Sequence, residues 1–265
     1  NPIDQVFKSF EVFKSRNMTN IEIAYSRSDN GFILNWNRLK YLCSICLKRL
    51  TLHDLYIKEI SLYAMQVFSV RSTCLEYLEI SKNLLLDQGG SLFTFVQNFE
   101  NLKVLKSSSN KHHSRSKRSQ ASILLSLILP QTLEELYIED NIAGDLVDIK
   151  FMNGHNLRVL SLKNCEIWSC EGSFSGVINV EYFDMSGWSC EKLSIDLLYG
   201  FPNLQTLKAS GSLGKGFANI ARAGSFLSKN LKLQDINFSS NRINSIPNGL
   251  FLHPFEQLSS VNMSY

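Results

Sequence analysis

The sequence predicts an α/β solenoid, in which short repeats build a concave parallel β-sheet and return through irregular or short-helical convex segments. Three observations predict it. An apolar pattern recurs every 23 to 31 residues along the 265-residue chain. Within each copy the apolar positions are one, four and six, which face one side of a short strand. The composition, 44% hydrophobic and 19% charged, is that of an ordinary folded protein.

The clearest repeat is formed by Leu75, Leu78, Ile80, Asn83 and Leu85, which fill the pattern L-x-x-L-x-L-x-x-N-x-L. One such unit cannot cover its own apolar side, so neighbouring copies must stack against each other. The chain therefore reads as a leucine-rich-repeat horseshoe of about ten repeats in a single domain, 1–265. The repeats start near residues 18, 47, 75, 102, 133, 157, 180, 204, 233 and 258.

Asparagine at position nine is expected to bind backbone groups of the turns through its amide. The pattern also admits cysteine at this position, and four repeats carry neither residue: Ser26, Leu55, Trp188 and Ser212. At these points we expect either local irregularity or a slightly displaced register. A second apolar column lies six or seven residues before each new repeat and predicts a core on the convex side rather than a cofactor pocket. Its members are Tyr41, Phe68, Phe95, Leu127, Phe151, Phe174, Leu198, Phe226 and Phe251.

Long repeats of this kind resemble the ectodomains of Toll-like receptors, most clearly over 233–243 (LQDINFSSNRI) and 246–258 (IPNGLFLHPFEQL). The resemblance implies a pattern-recognition receptor of innate immunity, a single-pass membrane protein whose ectodomain is extracellular or endosomal-lumenal. It also implies ligand-driven pairing with a second receptor chain. The cysteine-rich caps, the membrane span and the signalling domain of that family are not found in this sequence. We therefore expect a piece of a longer protein, attached to the membrane only through a segment outside this chain.

Two cysteines occupy the same place in consecutive repeats, because Cys46 and Cys74 each immediately precede position one. Stacking should bring their backbones to about 5 Å, which is within the range of a disulfide. Cys43 is the rival partner for Cys74. The spacing of the cysteines is not that of a zinc site.

Among the other three cysteines, Cys165 fills position nine, which favours a disulfide between Cys170 and Cys190. The alternative is a set of buried reduced thiols. Disulfides together with glycosylation would indicate an oxidising compartment.

Three N-x-S/T sequons predict N-glycosylation at Asn17, Asn237 and Asn262. The last two fall at position five of adjacent repeats, so both side chains should project from the concave sheet. Sugars there would close this part of the sheet to a protein partner, leaving the lateral edges, the convex side or earlier repeats. The alternative is a pair of unmodified surface asparagines.

Position two carries charges that alternate in sign over six successive repeats. The simplest interpretation is self-neutralisation between neighbouring strands, and a mixed-charge ligand surface is the alternative. The net charge of +3 also excludes the molecule as a whole from reading polyanions. This charge ladder consists of Lys48, Glu76, Lys103, Glu134, Arg158 and Glu181.

One segment, 110–122 (NKHHSRSKRSQAS), has no apolar period and is predicted to be a mobile basic loop. Besides a solvated insertion, it suggests a polyanion-binding arm whose affinity should fall with salt, or a cleavage site after Arg118. Some endosomal Toll-like receptors carry a cleaved loop, which supports the cleavage hypothesis by resemblance. The residues that carry these hypotheses are Lys111, His112, His113, Arg115, Lys117 and Arg118.

No catalytic motif with supporting context is found, and we predict neither an enzyme, nor a metal site, nor a cofactor. Two functions remain. The first is the ligand-binding ectodomain of a Toll-like receptor, which binds a microbial or danger ligand or a protein. The alternative is an extracellular matrix or adhesion protein that binds a host protein. The long, irregular repeats favour the receptor.

Overall fold

A strand begins two residues after each of the ten predicted repeat starts in the computed structural model. The apolar positions lie where the repeat requires, since Leu75, Leu78 and Ile80 are at most 1% exposed. The protein is thus a parallel-sheet β-solenoid with few helices. The structure describes residues 2–14, 16–24, 31–85, 96–110, 122–141, 143–214, 226–241, 243, 246 and 249–264.

The chain, for which the sequence predicted a single domain, divides into two compact units. The first consists of Asn1–His113 with Ile128–Glu134. Its main strands are parallel neighbours in the order β1, β3, β5, β6, and β2 pairs with β4. The strands of this unit are β1 (Asn20–Ala24), β2 (Phe32–Leu34), β3 (Arg49–His53), β4 (Ile57–Ile60), β5 (Tyr77–Glu79) and β6 (Val104–Lys106). Its α-helices are α1 (Pro2–Ser9), α2 (Trp36–Leu39) and α3 (Leu62–Arg71), and a 3-10 helix spans Phe10–Phe13.

The second unit consists of Ser114–Leu127 with Glu135–Tyr265. The strands that begin in it are β7 (Ser122–Ile128), β8 (Glu135–Tyr137), β9 (Ala143–Met152), β10 (Val159–Ser161), β11 (Glu166–Ser175), β12 (Tyr182–Asp184), β13 (Lys192–Leu193), β14 (Thr206–Lys208), β15 (Asp235–Asn237) and β16 (Ser260–Asn262). The repeat strands follow the order β8, β10, β12, β14, β15, β16. A second sheet has the order β13, β11, β9, β7, and a short 3-10 helix spans Gly154–Asn156.

The return segments of the second unit differ from the prediction of irregular or short-helical structure. Two of them, β9 and β11, are ten-residue strands that pair in parallel. In β11, Cys170, Gly172 and Phe174 are buried, whereas Ser173 and Ser175 are exposed. Alternation of this kind is typical of a strand with one covered face. The leucine template does not include these positions, so it does not predict the strand.

Asparagine at position nine performs the backbone role that the sequence predicts. Asn83 is 2% exposed. Its Oδ1 accepts hydrogen bonds from the backbone N–H groups of Leu55 (3.1 Å) and Ile57 (3.2 Å). Its Nδ2 donates to the carbonyls of Leu52 (2.9 Å) and Ser81 (3.0 Å). Four backbone groups of the turn are therefore satisfied by one side chain.

Three residues that replace this asparagine make the same contact to position six of the preceding repeat. Trp188 Nε1 donates to the Leu162 carbonyl at 2.8 Å, and Ser212 Oγ donates to the Met185 carbonyl at 2.7 Å. The Cys165 thiol donates to the carbonyl of Ile138 at 3.4 Å. The expected irregularity at Trp188 and Ser212 is therefore wrong, because an indole N–H and a hydroxyl make the contact that the asparagine amide makes elsewhere.

Irregularity was also expected at Leu55 and Ser26, which do not supply this contact in the described structure. Leu55 is fully buried, and its side chain has no donor. Ser26 lies outside the described residues.

Position eight bends the chain out of each strand through a left-handed backbone. The φ angles there lie between +54° and +79°. This region favours glycine and, among other residues, asparagine and aspartate. The residues in this conformation are Asp54, Lys82, Ser109, Asp140, Asn164, Gly187, Gly211 and Ser240.

The structure contains disulfides between Cys46 and Cys74 and between Cys170 and Cys190, the pairs that the repeat register favoured. Their Cα–Cα distances are 5.3 and 5.5 Å. Cys43, the rival partner for Cys74, is a free thiol.

The two disulfides differ in their access to solvent, which leads to a prediction about reduction. Cys46 is exposed, whereas Cys170 and Cys190 are fully buried. Graded reductant is therefore expected to cleave Cys46–Cys74 in the folded protein, and Cys170–Cys190 only when the chain unfolds. Thiol alkylation followed by peptide mass spectrometry measures the order. Simultaneous cleavage of both bonds would contradict it.

Cys43 is a poor nucleophile for exchange with the Cys46–Cys74 disulfide in this experiment. Burial raises the pKa of the Cys43 thiol to about 11, and the Arg71 charge and a hydrogen bond with Ser72 offset part of the effect. A protonated thiol is not the attacking species in disulfide exchange.

Candidate binding face on the strands

The charge ladder at position two contains ion pairs within each unit. Lys48 Nζ lies 3.6 Å from Glu76 Oε1 in the first unit, and Arg158 Nε lies 3.9 Å from Glu181 Oε1 in the second. All four side chains are 45% to 59% exposed. Such pairs contribute about 0–1 kcal/mol each to stability. These contacts support self-neutralisation at two intervals of the ladder.

The two remaining members of the ladder, Lys103 and Glu134, lie on neighbouring repeats of the first unit. The backbone N–H of Glu134 donates to the carbonyl of Lys103 at 2.8 Å. Their side chains therefore leave neighbouring points of the backbone, as the repeat register requires.

In the repeat that contains β5, a tyrosine at position three and a carboxylate at position five form a hydrogen bond with each other. The Tyr77 hydroxyl donates to Glu79 Oε2 at 2.7 Å. The guanidinium of Arg49, in register with Tyr77 on β3, lies 3.5 Å from the centre of the tyrosine ring. Lys106 Nζ lies 5.8 Å from the same centre. The first unit thus contains a tyrosine–carboxylate pair with cations over its ring.

The second unit repeats this arrangement on two strands. On β8 the Tyr137 hydroxyl donates to Glu135 Oε2 at 2.9 Å, and on β12 the Tyr182 hydroxyl donates to Asp184 Oδ2 at 3.4 Å. Between them, on β10, Ser161 Oγ donates to Glu139 Oε1 at 2.6 Å. We call this set the tyrosine–carboxylate patch: Glu135, Tyr137, Glu139, Tyr182 and Asp184.

Strand register explains why these side chains share one face. Tyr137, Ser161 and Asp184 are neighbours across the three strands. In the adjacent row Val159 lies between Glu135 and Tyr182. The central strand therefore contributes short side chains, with the tyrosines and carboxylates on both sides. Ser161 is only 1% exposed, so its neighbours cover it.

The patch is electrostatically negative. Positions three, five and seven of the repeats that contain β8, β10 and β12 carry three carboxylates (Glu135, Glu139, Asp184) and one ammonium (Lys163), which gives −2 by subtraction. Lys208 on β14, in register with Asp184, adds a second cation beside the patch. The pKa of Tyr182 is raised to about 12. The largest cause is burial, followed by the charge of Asp184, the hydrogen bond to Asp184 and the charge of Glu139.

The other phenol of the patch experiences the same field. Burial, followed by the hydrogen bond to Glu135, raises the pKa of Tyr137 above its ordinary value. Both phenols therefore stay neutral hydrogen-bond donors at physiological pH.

The raised pKa of Tyr182 predicts a loss of stability at high pH. The unfolded phenol has a pKa of about 10, whereas the folded one has a pKa of about 12. The resulting stabilisation is complete below pH 10 and is lost as the pH rises through 12, since the unfolded state releases its proton first. Denaturation at a series of pH values tests this. Tyr182→Phe should flatten the profile over this window, and an unchanged profile would contradict the assignment.

The sequons fall on the strands as the repeat register requires. Asn237 on β15 is in register with Asn262 on β16, and Asn262 is exposed. Each Oδ1 accepts the backbone N–H two residues on, from Ser239 and Ser264, at 3.0 Å. Asn17 is exposed before β1. No described hydrogen bond uses the Nδ2 groups that a glycan would modify.

The basic segment is only partly described. Its members Lys111, His112, His113, Arg115, Lys117 and Arg118 lie outside the described residues. Both ends of the predicted loop need correction. Asn110 is 3% exposed, and its Nδ2 donates to the carbonyl of Ile80 at 3.0 Å, so it belongs to the position-nine column. Ser122 begins β7.

The tyrosine–carboxylate pairs were not predicted from the sequence. Their signal is a tyrosine two residues from a carboxylate within a repeat strand: Y-x-E at 77–79, E-x-Y at 135–137 and Y-x-D at 182–184. Residues two apart on a strand share a face, so the spacing alone permits the hydrogen bond.

Over the described ranges, no group of three His, Cys, Asp or Glu residues is placed to hold a metal ion. Within the same part of the chain, no helix has both the length and the apolar character that crossing a membrane requires.

Comparison with known proteins yields structural likeness only. The sequence matches no family model, and a search of curated proteins found no match. Among the solved structures that match is the crystal structure of a TLR13–ssRNA13 complex, with 18% sequence identity and a TM-score of 0.43. That match covers 94% of this chain, and this chain spans 39% of the length of the other.

Proposed function

We propose that this chain is part of the ligand-binding ectodomain of a Toll-like innate immune receptor and acts by binding rather than by catalysis. The observation that carries the proposal is the polar strand face in both units. Position-nine donors hold the backbone of successive repeats. At positions three and five, Tyr77, Glu79 and Tyr182 are half-buried, whereas Asp184 is buried. Rigid display of many partly exposed polar side chains suits recognition of a large ligand.

Further support comes from the covalent features of the chain. Two disulfides are compatible with an oxidising compartment, as on the extracellular or endosomal-lumenal side of a membrane. Three sequons point to the same route through the cell. In the proposal, the strand face binds a microbial or danger ligand and a second receptor chain completes the signalling pair.

A binding panel tests this proposal against the adhesion alternative. The chain, secreted from mammalian cells, is immobilised and exposed to single-stranded RNA, a bacterial lipopeptide and collagen. Saturable binding of a microbial probe is expected, together with dimer formation when that probe is added. Glu171→Gln, on β11 of the other sheet, is the control variant that should leave binding unchanged. Binding of collagen alone would favour the matrix protein instead.

Glycan occupancy provides a second prediction. Asn17, Asn237 and Asn262 are expected to carry N-glycans in the secreted protein, because all three lie within sequons on an extracellular route. Glycopeptide mass spectrometry measures the occupancy, with Ser239→Ala and Ser264→Ala as variants that remove the last two sequons. Sugars on β15 and β16 should exclude a protein from this end of the strand face. Empty sites at Asn237 and Asn262 would remove that restriction.

A further inference from the structure

We infer that the turns before strands β10, β12, β14, β15 and β16 form a surface through which two copies of this chain associate, side by side and in opposite directions. The inference rests on the proposed function, which it deepens by identifying the second receptor chain as another copy. Three observations carry it: a shared turn, an apolar centre and ends of opposite polarity. We call the exposed residues of these turns the corner row: His155, Ile178, Pro202, Leu231 and Glu256.

The same hydrogen-bonded turn precedes each of the five strands. In every repeat the backbone N–H of position one donates to the carbonyl three residues earlier, at 3.1 or 3.2 Å. The second residue of the turn is exposed in all five, and proline, as at Pro202, is common at this place of a β-turn. Because the strands that follow are parallel neighbours, the five corners lie side by side at intervals of about 4.8 Å.

Hydrogen bonds connect successive corners. Asn179 Nδ2 donates to the carbonyl of His155 at 2.7 Å, and Asn203 Nδ2 donates to the carbonyl of Ile178 at 2.8 Å. Lys232 Nζ donates to Asn203 Oδ1 at 2.7 Å. The corners are therefore held in one arrangement before any partner binds, which lowers the entropic cost of association.

The centre of the corner row is apolar and open to solvent. Ile178 is 56% exposed and Leu231 is 46% exposed, and Pro202 between them is exposed as well. Single exposed apolar side chains are ordinary on a protein surface, whereas three at the same place in consecutive repeats form a contiguous strip. The core does not use these side chains, so the strip indicates a contact surface.

The two ends of the corner row carry complementary groups. His155 at the first corner has a ring N–H that can donate a hydrogen bond, and Glu256 at the last corner has a carboxylate that accepts one. Neither side chain forms an ion pair within the described ranges. Four intervals of the sheet separate them, about 19 Å, so they do not meet within one molecule.

A two-fold axis through Pro202 makes the corner row complementary to itself. Pro202 then meets Pro202 of the second copy. Ile178 of each copy meets Leu231 of the other, and the end groups pair in the same manner. An isologous contact requires one patch to serve both partners, and this row does so in apolar content and in charge. A strip one side chain wide buries little area, so the pairing is weak.

Sedimentation equilibrium of the full secreted chain tests the association, and a weak, concentration-dependent dimer is expected. Leu231→Asp should weaken it by about ten-fold or more, because each substitution enters an isologous interface twice. Val70→Asp is the matched control, at a valine of α3 that is 66% exposed, and should leave the affinity within about two-fold. A chain that stays monomeric up to about 1 mM, or equal weakening by both variants, would overturn the inference.

Charge exchange tests the direction of the two rows. His155→Asp alone and Glu256→Lys alone should each weaken the dimer by about three-fold or more, because each removes a complementary contact at both ends. The double variant should regain the original affinity within about two-fold, because aspartate then faces lysine. Residues about 19 Å apart in one chain couple in this way only across an interface. Additive weakening in the double variant would overturn the antiparallel arrangement.

Cross-linking tests the position of the axis, in a Cys43→Ser background that removes the half-buried free thiol. Pro202→Cys brings two thiols together at the axis. Oxidised glutathione should join them as a disulfide and leave as two molecules of reduced glutathione. Ile178→Cys is the control, since its two thiols would lie about 10 Å apart, beyond disulfide range. Cross-linking of both variants to the same extent would overturn the assignment.

Circular dichroism and thermal melting establish that each variant folds, which is expected because every changed residue of the corner row is exposed. The outcome is separable from that of the binding panel. Binding of a microbial probe by a chain whose pairing is insensitive to Leu231→Asp would refute this inference and leave the proposed function standing. Self-association through the corner row by a chain that recognises only collagen would refute the receptor function instead.

Discussion

Replacing Trp188 with alanine is expected to lower the free energy of unfolding by about 3–5 kcal/mol. The side chain is fully buried, and its ring packs edge-on against Phe183 at a centroid distance of 6.1 Å. Its indole N–H is also the donor to the Leu162 carbonyl. Alanine therefore leaves a cavity, and the Leu162 carbonyl keeps only the hydrogen bond from the backbone N–H of Cys165 at 3.3 Å. Equilibrium denaturation in urea, followed by circular dichroism, measures the change.

Two variants divide this effect into its parts. Trp188→Phe keeps a six-membered ring but removes the donor and the fused five-membered ring, so it should cost about 1–3 kcal/mol. Trp36→Ala, at a half-buried tryptophan stacked by Arg71 at 5.3 Å, should cost less than the change at Trp188. A loss below about 1 kcal/mol for Trp188→Ala would show that the ring is not part of the core.

The second large effect is expected for Asn83→Leu, which should destabilise the first unit by about 3–6 kcal/mol. Leucine has nearly the same size but removes the acceptor for Leu55 and Ile57 and the donor for Leu52. These buried backbone groups then lack the partner that the folded turn provides. Thermal and urea denaturation of the purified variant measure the loss.

The control is Asn203→Leu, because this amide is half-buried and donates to the Ile178 carbonyl at 2.8 Å in an exposed contact. Water can replace that bond, so the expected cost is below about 1 kcal/mol. Similar costs at both asparagines would mean that burial of the turn is not the reason for the effect at Asn83.

Much of the fold was predictable because the repeat restricts the backbone at fixed intervals. Leu78, Leu136 and Leu160 hold equivalent places in three repeats, and each is at most 1% exposed. The disulfide between Cys46 and Cys74 follows from the same register, since stacking alone brings equivalent backbones together.

Features without a fixed interval were harder to predict. The strands β9 and β11 depend on alternation within the return segments, which the leucine template does not test. The substitutions at Trp188 and Ser212 were expected to disturb the turn, because a pattern of residue types does not reveal that an indole and a hydroxyl donate to equivalent carbonyls.

The candidate site was predictable only in part. Alternating charge at position two correctly predicts the pairing of Lys48 with Glu76, because opposite charges on neighbouring strands attract each other. The tyrosine–carboxylate patch requires two further facts, that Tyr182 bonds to Asp184 and that Val159 stands in register with Tyr182. Both depend on which strands are neighbours, which single repeats do not show.

Side chains at position nine donate hydrogen bonds to the preceding repeat, which has a practical consequence for the design of shorter fragments. Each donor serves a carbonyl of the repeat before it, as Ser212 does for Met185 and Asn241 does for Ala209. A fragment that stops before such a donor loses this hydrogen bond on its last turn. Truncations should therefore retain the first nine residues of the following repeat, and shorter ends should melt inward from the cut.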